Sequence, residues 1–423
     1  MAATKSEKRA SFVCDSLDVT ETLADSPFTI DWLLTALKDN DATFQTLLQR
    51  SAVAKVNAKE IGQGKGFVST IYQVVIEFSA SNDQHDVILK VPSVKSIRRK
   101  LPDDEDPNAE EKRKKLAKGV NKEFEFYRTI APQLNIPLVK MFAGVDWIEG
   151  KQSGALLMES LIGKADLCPL WSGCNLQQMF NVAKHLAALT AHFLCLPSDE
   201  WKGKFTHRMH SSPAKIGFYT QFYEKLKEMS PGVFDEGADL FEKYAKSPKF
   251  FKYTMNDVAV EAGLPLGFNH GDLWSHNLLW KLNPDGSLAN ELAAIIDWEI
   301  CHEGSIAFDL ASFIVMCVDA EERREFQYAV LQLFYDLVVK LMTETGKSVD
   351  FTFDQLKVAY NGNCIYHTSQ LMIFGPFLYS PKEWNATEAE VKRPQMEKVL
   401  LRAKLAMDDA MELLRAIPEE KLL

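Results

Sequence analysis

The stretch Phe268-Asn269-His270-Gly271-Asp272-Leu273-Trp274-Ser275-His276-Asn277-Leu278-Leu279-Trp280 sets an Asp and an Asn five residues apart. Downstream, Ala294-Ile295-Ile296-Asp297-Trp298-Glu299 brings a second Asp to the end of an apolar run. Asp272 is suited to orient a hydroxyl, while the amide of Asn277 and the carboxylate of Asp297 are suited to hold a hard cation. This is the side-chain set of Mg-nucleotide phosphoryl transfer. A structural loop Asp and Asn is the plainer reading of the first motif alone, and Asp297 in register argues against it.

Such groups need a phosphate-binding side, and the residues before them offer one. Ile61-Gly62-Gln63-Gly64-Lys65-Gly66-Phe67 leads into the β-branched and aromatic run Val68 to Phe78, so strand, turn and strand are expected. Glycines there admit backbone N–H groups to a phosphate. Because a strand follows them, a dinucleotide-binding helix is disfavoured. Lys90 then interrupts the apolar strand Val87-Ile88-Leu89-Lys90-Val91-Pro92. A Lys inside such a strand needs a carboxylate, and helical spacing puts Glu123 on the inward face with Val120, Tyr127 and Ile130, whereas Glu125 shares a face with Arg128. Two apolar strands, 137–142 and 154–158, end at Met158-Glu159-Ser160-Leu161, where the backbone of Glu159 and Leu161 suits a hinge facing an adenine ring.

The remaining elements frame these sites. Thr29 is expected to cap a helix over 30–38, with a second short helix over 42–48. Residues 95–118 alternate basic and acidic runs and read as a solvated insertion. A long helix spans 175–194, and Asn283-Pro284-Asp285-Gly286 turns a hairpin. Asp309 stands at a helix start, Asp319 caps a helix that ends at Gly346, and further helices cover 354–374 and 393–416.

His270-Gly271-Asp272-x4-Asn277, Ile296-Asp297-Trp298-Glu299 and Asp309-Leu310-Ala311 together resemble the aminoglycoside phosphotransferase and choline kinase family. The wording His-Gly-Asp-Leu-Trp-Ser-His-Asn is most similar to its choline-kinase-like (CHK, ecdysteroid-kinase-like) branch. The resemblance runs from about Ile61 to the C-terminal helix. It implies an α+β, bilobal protein-kinase-like fold, with a small β-rich lobe carrying one key helix and a larger, mostly helical lobe. On that basis 1–52 form a tail and packing helices, 53–160 the small lobe and 161–423 the large lobe. ATP and Mg²⁺ are the implied cofactors, and a small-molecule hydroxyl is the implied acceptor. Asp272 takes the catalytic role, and Asn277 and Asp297 the metal. Gly62, Gly64, Gly66, Lys90, Glu123, Glu159 and Leu161 take the nucleotide, while His270 and Asp309 support the loop. Trp274, Trp298 and Glu299 are candidates for the acceptor pocket, with Tyr366, Phe374 and Trp384 as possible aromatic neighbours. Such a pocket suits a quaternary ammonium or a flat alcohol such as a steroid.

Departures from the protein-kinase pattern exclude other readings. Trp274 stands where protein Ser/Thr kinases carry Lys, and no Ala-Pro-Glu segment follows Asp297, so a protein acceptor is disfavoured. A nucleotide-binding scaffold without turnover is the alternative, against which the full set Lys90, Glu123, Asp272, Asn277 and Asp297 argues. A net charge of −10 gives no footing for nucleic acid. The seven cysteines contain no C-x-x-C pair and read as small core residues of a reducing compartment. No signal-like segment opens the chain, and no run reaches the ~18 apolar residues of a membrane span. The expectation is a soluble, cytoplasmic protein.

Overall fold

The computed structural model describes residues 12–62, 69–80, 82–92, 109–206, 213–379 and 381–423. They fall into two compact units, Met1–Pro132 with Val139–Ile162 and Gln133–Leu138 with Gly163–Leu423. The fold class is α+β and protein-kinase-like: a small antiparallel-sheet unit with one long helix, and a larger, mostly helical unit. Gly64, Gly66 and positions 95–108 of the charged stretch lie outside the described residues.

In the first unit, β1 (Val53–Ile61), β2 (Ser69–Phe78), β3 (Gln84–Pro92), β4 (Met141–Val145) and β5 (Ala155–Glu159) form one antiparallel sheet in the order β1-β2-β3-β5-β4. Alternation along β2 turns Tyr72, Val74, Ile76 and Phe78 inward. Helices α1 (Ile30–Asn40) and α2 (Ala42–Leu48) add Leu33, Leu37 and Phe44 to the same core. Thr29 caps α1 by accepting from the Trp32 N–H, and Asp41 caps α2.

Helix α3 (Ala109–Glu125) runs into a π-turn over Phe126–Ile130. Two contacts fix it to the sheet unit. Asn121 exchanges hydrogen bonds with the backbone of Trp147, Nδ2 to O at 2.9 Å and N to Oδ1 at 2.8 Å. The Phe124 ring lies over Gly144 of β4, where an added Cβ would come within 2.1 Å of it. Only glycine admits that ring.

The second unit pairs β7 (Leu266–Asn269) with β10 (His302–Ser305), and orders β6 (Ala165–Leu167), β8 (Leu278–Leu282) and β9 (Leu288–Ile295) in a small antiparallel sheet. Its helices are α4 (Leu176–Cys195), α5 (Pro213–Met229), α6 (Asp235–Ala245), α7 (Phe308–Cys317), α8 (Ala320–Glu344), α9 (Phe353–Leu378) and α10 (Ala386–Arg415), with shorter turns between them. α7 is buried along its whole length. Residues 133–138 pack with this unit, where the Ile295 N–H donates to Pro137 O at 2.9 Å.

Two of the expected helix starts need correction. Asp319 occupies the N-cap position of α8 without capping it, because its carboxylate is taken by the buried Arg402, at 3.0 Å from Nε and 2.6 Å from Nη2. Arg402 also reaches the carbonyls of Leu170 and Met316. α10 starts at Ala386, ahead of the 393 start that Pro394 suggested, since Asn385 and Glu388 form a capping box. Pro394 forfeits one helical N–H and stays inside the helix. Among the described residues, no helix is long and apolar enough to cross a membrane.

Candidate active site

In the first unit Lys90 extends from β3, opposite Ile71 of β2 and Leu156 of β5. Its Nζ donates to Glu123 Oε2 at 2.7 Å, and the two side chains are 11% and 1% exposed. A buried charge pair is worth little as a source of stability, but either charge left alone there is costly. Glu125 lies on the outer face with Arg128. Gly62 closes β1 at φ +70°. Glu159 is tied to β4: its N–H donates to Lys140 O at 2.9 Å, and its Oε1 accepts from Lys140 N at 2.8 Å. That N–H is therefore taken, whereas the Leu161 N–H, two residues on, has no partner among the described residues.

In the second unit the loop after β7 is shaped by its neighbours. Asp309, in the first turn of α7, accepts from the backbone N–H of His270 at 2.6 Å and of Gly271 at 3.0 Å. Its burial raises the carboxyl to about 7 despite those bonds. Gly271 has φ +88°, and an added Cβ would lie 2.7 Å from both His302 Nδ1 and Ile300 O. The loop needs glycine here for conformation and for space.

The His270 ring is fully buried, with Nε2 2.8 Å from Ile296 O and Nδ1 3.2 Å from Asp272 N. A carbonyl only accepts and an N–H only donates, so Nε2 carries the proton and Nδ1 takes the Asp272 N–H. One imidazole thereby ties the Asp272 loop to the strand end that leads to Asp297.

Asn277, closing the 3₁₀ turn Ser275–Asn277, donates from Nδ2 to Asp272 O at 2.7 Å and to Asp272 Oδ2 at 3.0 Å. Its Oδ1 has no partner among the described residues. Trp274 Nε1 donates to the same Oδ2 at 3.3 Å. Even so, burial and then the charge of Asp297 push the Asp272 carboxyl up to about 7, with a smaller push from Glu299. Asp297 itself has φ +69°, one of two non-glycine residues described in the left-handed region. Such backbone strain persists where the surroundings enforce it, and it concentrates at working sites.

The aromatic residues divide. Trp298 is fully buried, stands edge-on to His270 at 4.6 Å between ring centroids, and donates from Nε1 to Ile295 O. It is a core residue, and its place in an acceptor pocket is withdrawn. Trp274 meets Phe374 of α9 edge to face at 4.9 Å. Tyr366 is pushed well above its ordinary range by burial, then by Tyr219 and Asp272, which places its hydroxyl in the field of the Asp272 carboxylate. Glu299 is half-buried and contributes to the same field. His302, beneath Gly271, was missed in the sequence. Its only signal there is a polar residue soon after Asp297, and nothing in the spacing ties it to residue 271.

The family profile described as "Uncharacterized oxidoreductase dhs-27" (DUF1679) matches residues 36–415. The "Uncharacterized oxidoreductase dhs-27" of Caenorhabditis elegans is 29% identical over 364 residues, 83% of this chain, and this chain spans only 42% of that protein's length. The "Uncharacterized kinase-like protein D1044.1" of C. elegans is 23% identical over 339 residues, 76% of this chain and 82% of that protein. Among solved structures, the choline kinase of Cryptosporidium parvum Iowa II aligns over 91% of this chain and 96% of its own, with 13% identity and a TM-score of 0.49. With nearly its whole length matched by one profile, the chain belongs to the DUF1679 family.

Proposed function

We propose that the protein transfers the terminal phosphoryl group of ATP, as its Mg²⁺ complex, to an alcohol of a small molecule. The observation that carries this reading is the cluster of half-buried Asp272 and Asp297 with buried Asn277. Two carboxylates press on each other there, and an amide oxygen beside them is unengaged. That donor set fits a hard divalent cation, which takes oxygen ligands and relieves like-charge repulsion.

Asn277 Oδ1 and the Asp297 carboxylate would hold the metal. When bound, Mg²⁺ would neutralise charge on the phosphate oxygens. Asp272 would orient the acceptor hydroxyl and take its proton, its carboxylate held by the Asn277 amide and the Trp274 indole. Lys90, aligned by Glu123, would bind the α- and β-phosphates, with Gly62, Gly64 and Gly66 over them. The Leu161 backbone N–H would meet the adenine edge, and Glu159 would brace that segment. His270 and Asp309 hold the loop and need not touch the substrate. Trp274, with Phe374 and Tyr366 near it, would wall the acceptor, whose body would be apolar and flat or cationic.

The oxidoreductase in the relative's name describes a protein of which the matched stretch covers only 42%. Within this chain Gly62 lies between antiparallel β1 and β2, where a dinucleotide fingerprint requires a helix. None of the seven cysteines is held in a disulfide, which suits a reducing compartment, and we propose the cytoplasm as its location.

Thermal unfolding with and without ATP and Mg²⁺ tests the reading, with wild type beside Asp297→Ala. A ligand at about a hundredfold excess over its Kd adds ~2.7 kcal/mol to native stability. A metal-dependent rise is expected in wild type and absent in Asp297→Ala. An equal rise in both would remove Asp297 from the metal site.

A further inference from the structure

Between β6 and α4 of the larger unit the chain runs through Cys168-Pro169-Leu170-Trp171-Ser172-Gly173-Cys174. Hydrogen bonds hold this loop closed. The Ser172 N–H donates to Pro169 O at 2.8 Å, and Gly173 turns the chain back at φ +79°. The Gly173 carbonyl thereby meets Cys168, whose thiol donates to it at 3.3 Å. Arg402 Nη1 donates to Leu170 O at 2.6 Å, and an added Cβ on Gly173 would lie 3.1 Å from Arg402 Nη2, so a buried guanidinium pins the loop.

This closure brings two thiols together. Cys168 and Cys174 share a side-chain hydrogen bond. They are not equivalent. The bond from Cys174 and the charge of Arg402 hold Cys168 below its ordinary value, against burial and Asp319, whereas the shared bond and burial push Cys174 up. Cys168 is therefore the one that ionises first, beside a partner that keeps its proton. The thiolate is the nucleophilic form, and a thiol next to it can resolve its oxidised state. Among the described residues, no group of three side chains that could hold a metal ion includes either sulfur. The chemistry open to the pair is with each other.

The pair also reaches the Asp272 loop. The Cys174 N–H donates to Cys317 O at 2.7 Å, and Ser275 Oγ donates to Cys317 Sγ at 3.4 Å. Cys317, at the end of α7, thus links Cys174 to the turn that carries Asn277.

We propose that Cys168 and Cys174 form a reversible dithiol–disulfide pair whose oxidant is a small hydroperoxide. The Cys168 thiolate attacks one peroxide oxygen, the O–O bond breaks, and the departing hydroxide takes a proton to become water. The Cys174 sulfur then attacks the resulting sulfenic acid; the S–O bond breaks, the S–S bond forms, and the Cys174 proton leaves with the hydroxyl as a second water. Two electrons pass from the thiols to the peroxide. Exposure of 3% at Cys168 and 2% at Cys174 sets the size of the co-reactant: hydrogen peroxide is little larger than water, and bulky thiol reagents are shut out. A small dithiol reverses the link by exchange, and such transient disulfides occur in reducing compartments. The proposal is independent of the phosphoryl-transfer reading.

The test treats the reduced full chain with hydrogen peroxide, alkylates it under denaturing conditions and maps tryptic peptides by mass spectrometry. Lys164 and Lys184 bound a peptide that holds Cys168 and Cys174 and no other cysteine. This peptide is expected to escape alkylation and lose two hydrogens, and dithiothreitol should restore both thiols. A chain unfolded in urea before oxidation should spread its links to other cysteines. In Cys174→Ser, dimedone should trap Cys168 as the sulfenic acid; in Cys168→Ser, Cys174 should stay unlabelled. Should either variant not fold, the wild-type map decides alone. Full alkylation of both thiols after peroxide, the same spread of links in folded and unfolded chains, or sulfinic acid at Cys168 with no link would each overturn the proposal.

Discussion

Asp272 meets two opposing demands. In the proposed reaction it would have to be ionised to take a hydroxyl proton, yet burial and Asp297 raise it to about 7. At low Mg²⁺, turnover should therefore climb with pH through about 7, as the carboxylate replaces the acid. A cation beside Asp297 offsets the repulsion, so the acidic limb should move to lower pH as Mg²⁺ is raised. Initial-rate profiles at several Mg²⁺ concentrations check this, and a limb indifferent to Mg²⁺ would separate Asp272 from the metal. Asp272→Ala should retain Mg-ATP binding while turnover falls about 10²- to 10⁴-fold, the usual contribution of a positioned acid–base group.

Elements hold these residues through a few exacting contacts. Asp309 gathers two backbone N–H groups at the start of α7. Asp309→Ala would strand both, at about 1–3 kcal/mol each, and denaturant unfolding would register the loss. The pH dependence has a definite sign. Asp309 has a folded value of about 7, above the ~3.9 of an unfolded Asp, so the folded state retains a proton that the unfolded chain releases between those values. Its contribution is full below the unfolded value and is lost as pH rises through about 7. Asp309→Asn should flatten that part of the stability profile. In the smaller unit, Gly144→Ala would push the Phe124 ring off β4 and shift Glu123 one residue away on α3. A displacement near 1 Å at a positioning group can cost about 10²-fold, so kcat/KM should fall on that scale, and fluorescence or calorimetric titration should show weaker ATP binding.

At the scale of the whole molecule, what was legible follows the reach of each signal. Local signals were readable: Thr29 as a cap, the alternation through Tyr72, Val74 and Ile76, and the inward face that chose Glu123 over Glu125. The Asp272, Asn277 and Asp297 set was visible because five residues and one hairpin carry it. Long-range matches were not. Nothing near Gly144 announces Phe124, nothing near Gly271 announces His302, and Asp319 reads as a cap until Arg402 arrives from α10. Trp298 shows the same limit: its neighbours in sequence suggest a site, but Phe268 and His270 make it core. Side-chain type predicts chemistry, whereas burial belongs to the assembled unit.

Asp297 has φ +69°, a backbone state that glycine occupies at no steric cost. Its replacements should therefore differ in durability while sharing a loss of activity. Asp297→Gly removes the charge that crowds Asp272 and relaxes the backbone, against roughly 0.5–1 kcal/mol of added freedom in the unfolded chain. Asp297→Ala removes the same charge and keeps the backbone contorted. In scanning calorimetry without nucleotide, the glycine variant should outlast the alanine variant, and both should be inert towards Mg-ATP. A working carboxylate at this position makes the resting protein less robust than an idle copy would be. Selection for heat resistance alone would erode position 297 first, leaving a sturdier chain with nothing to catalyse.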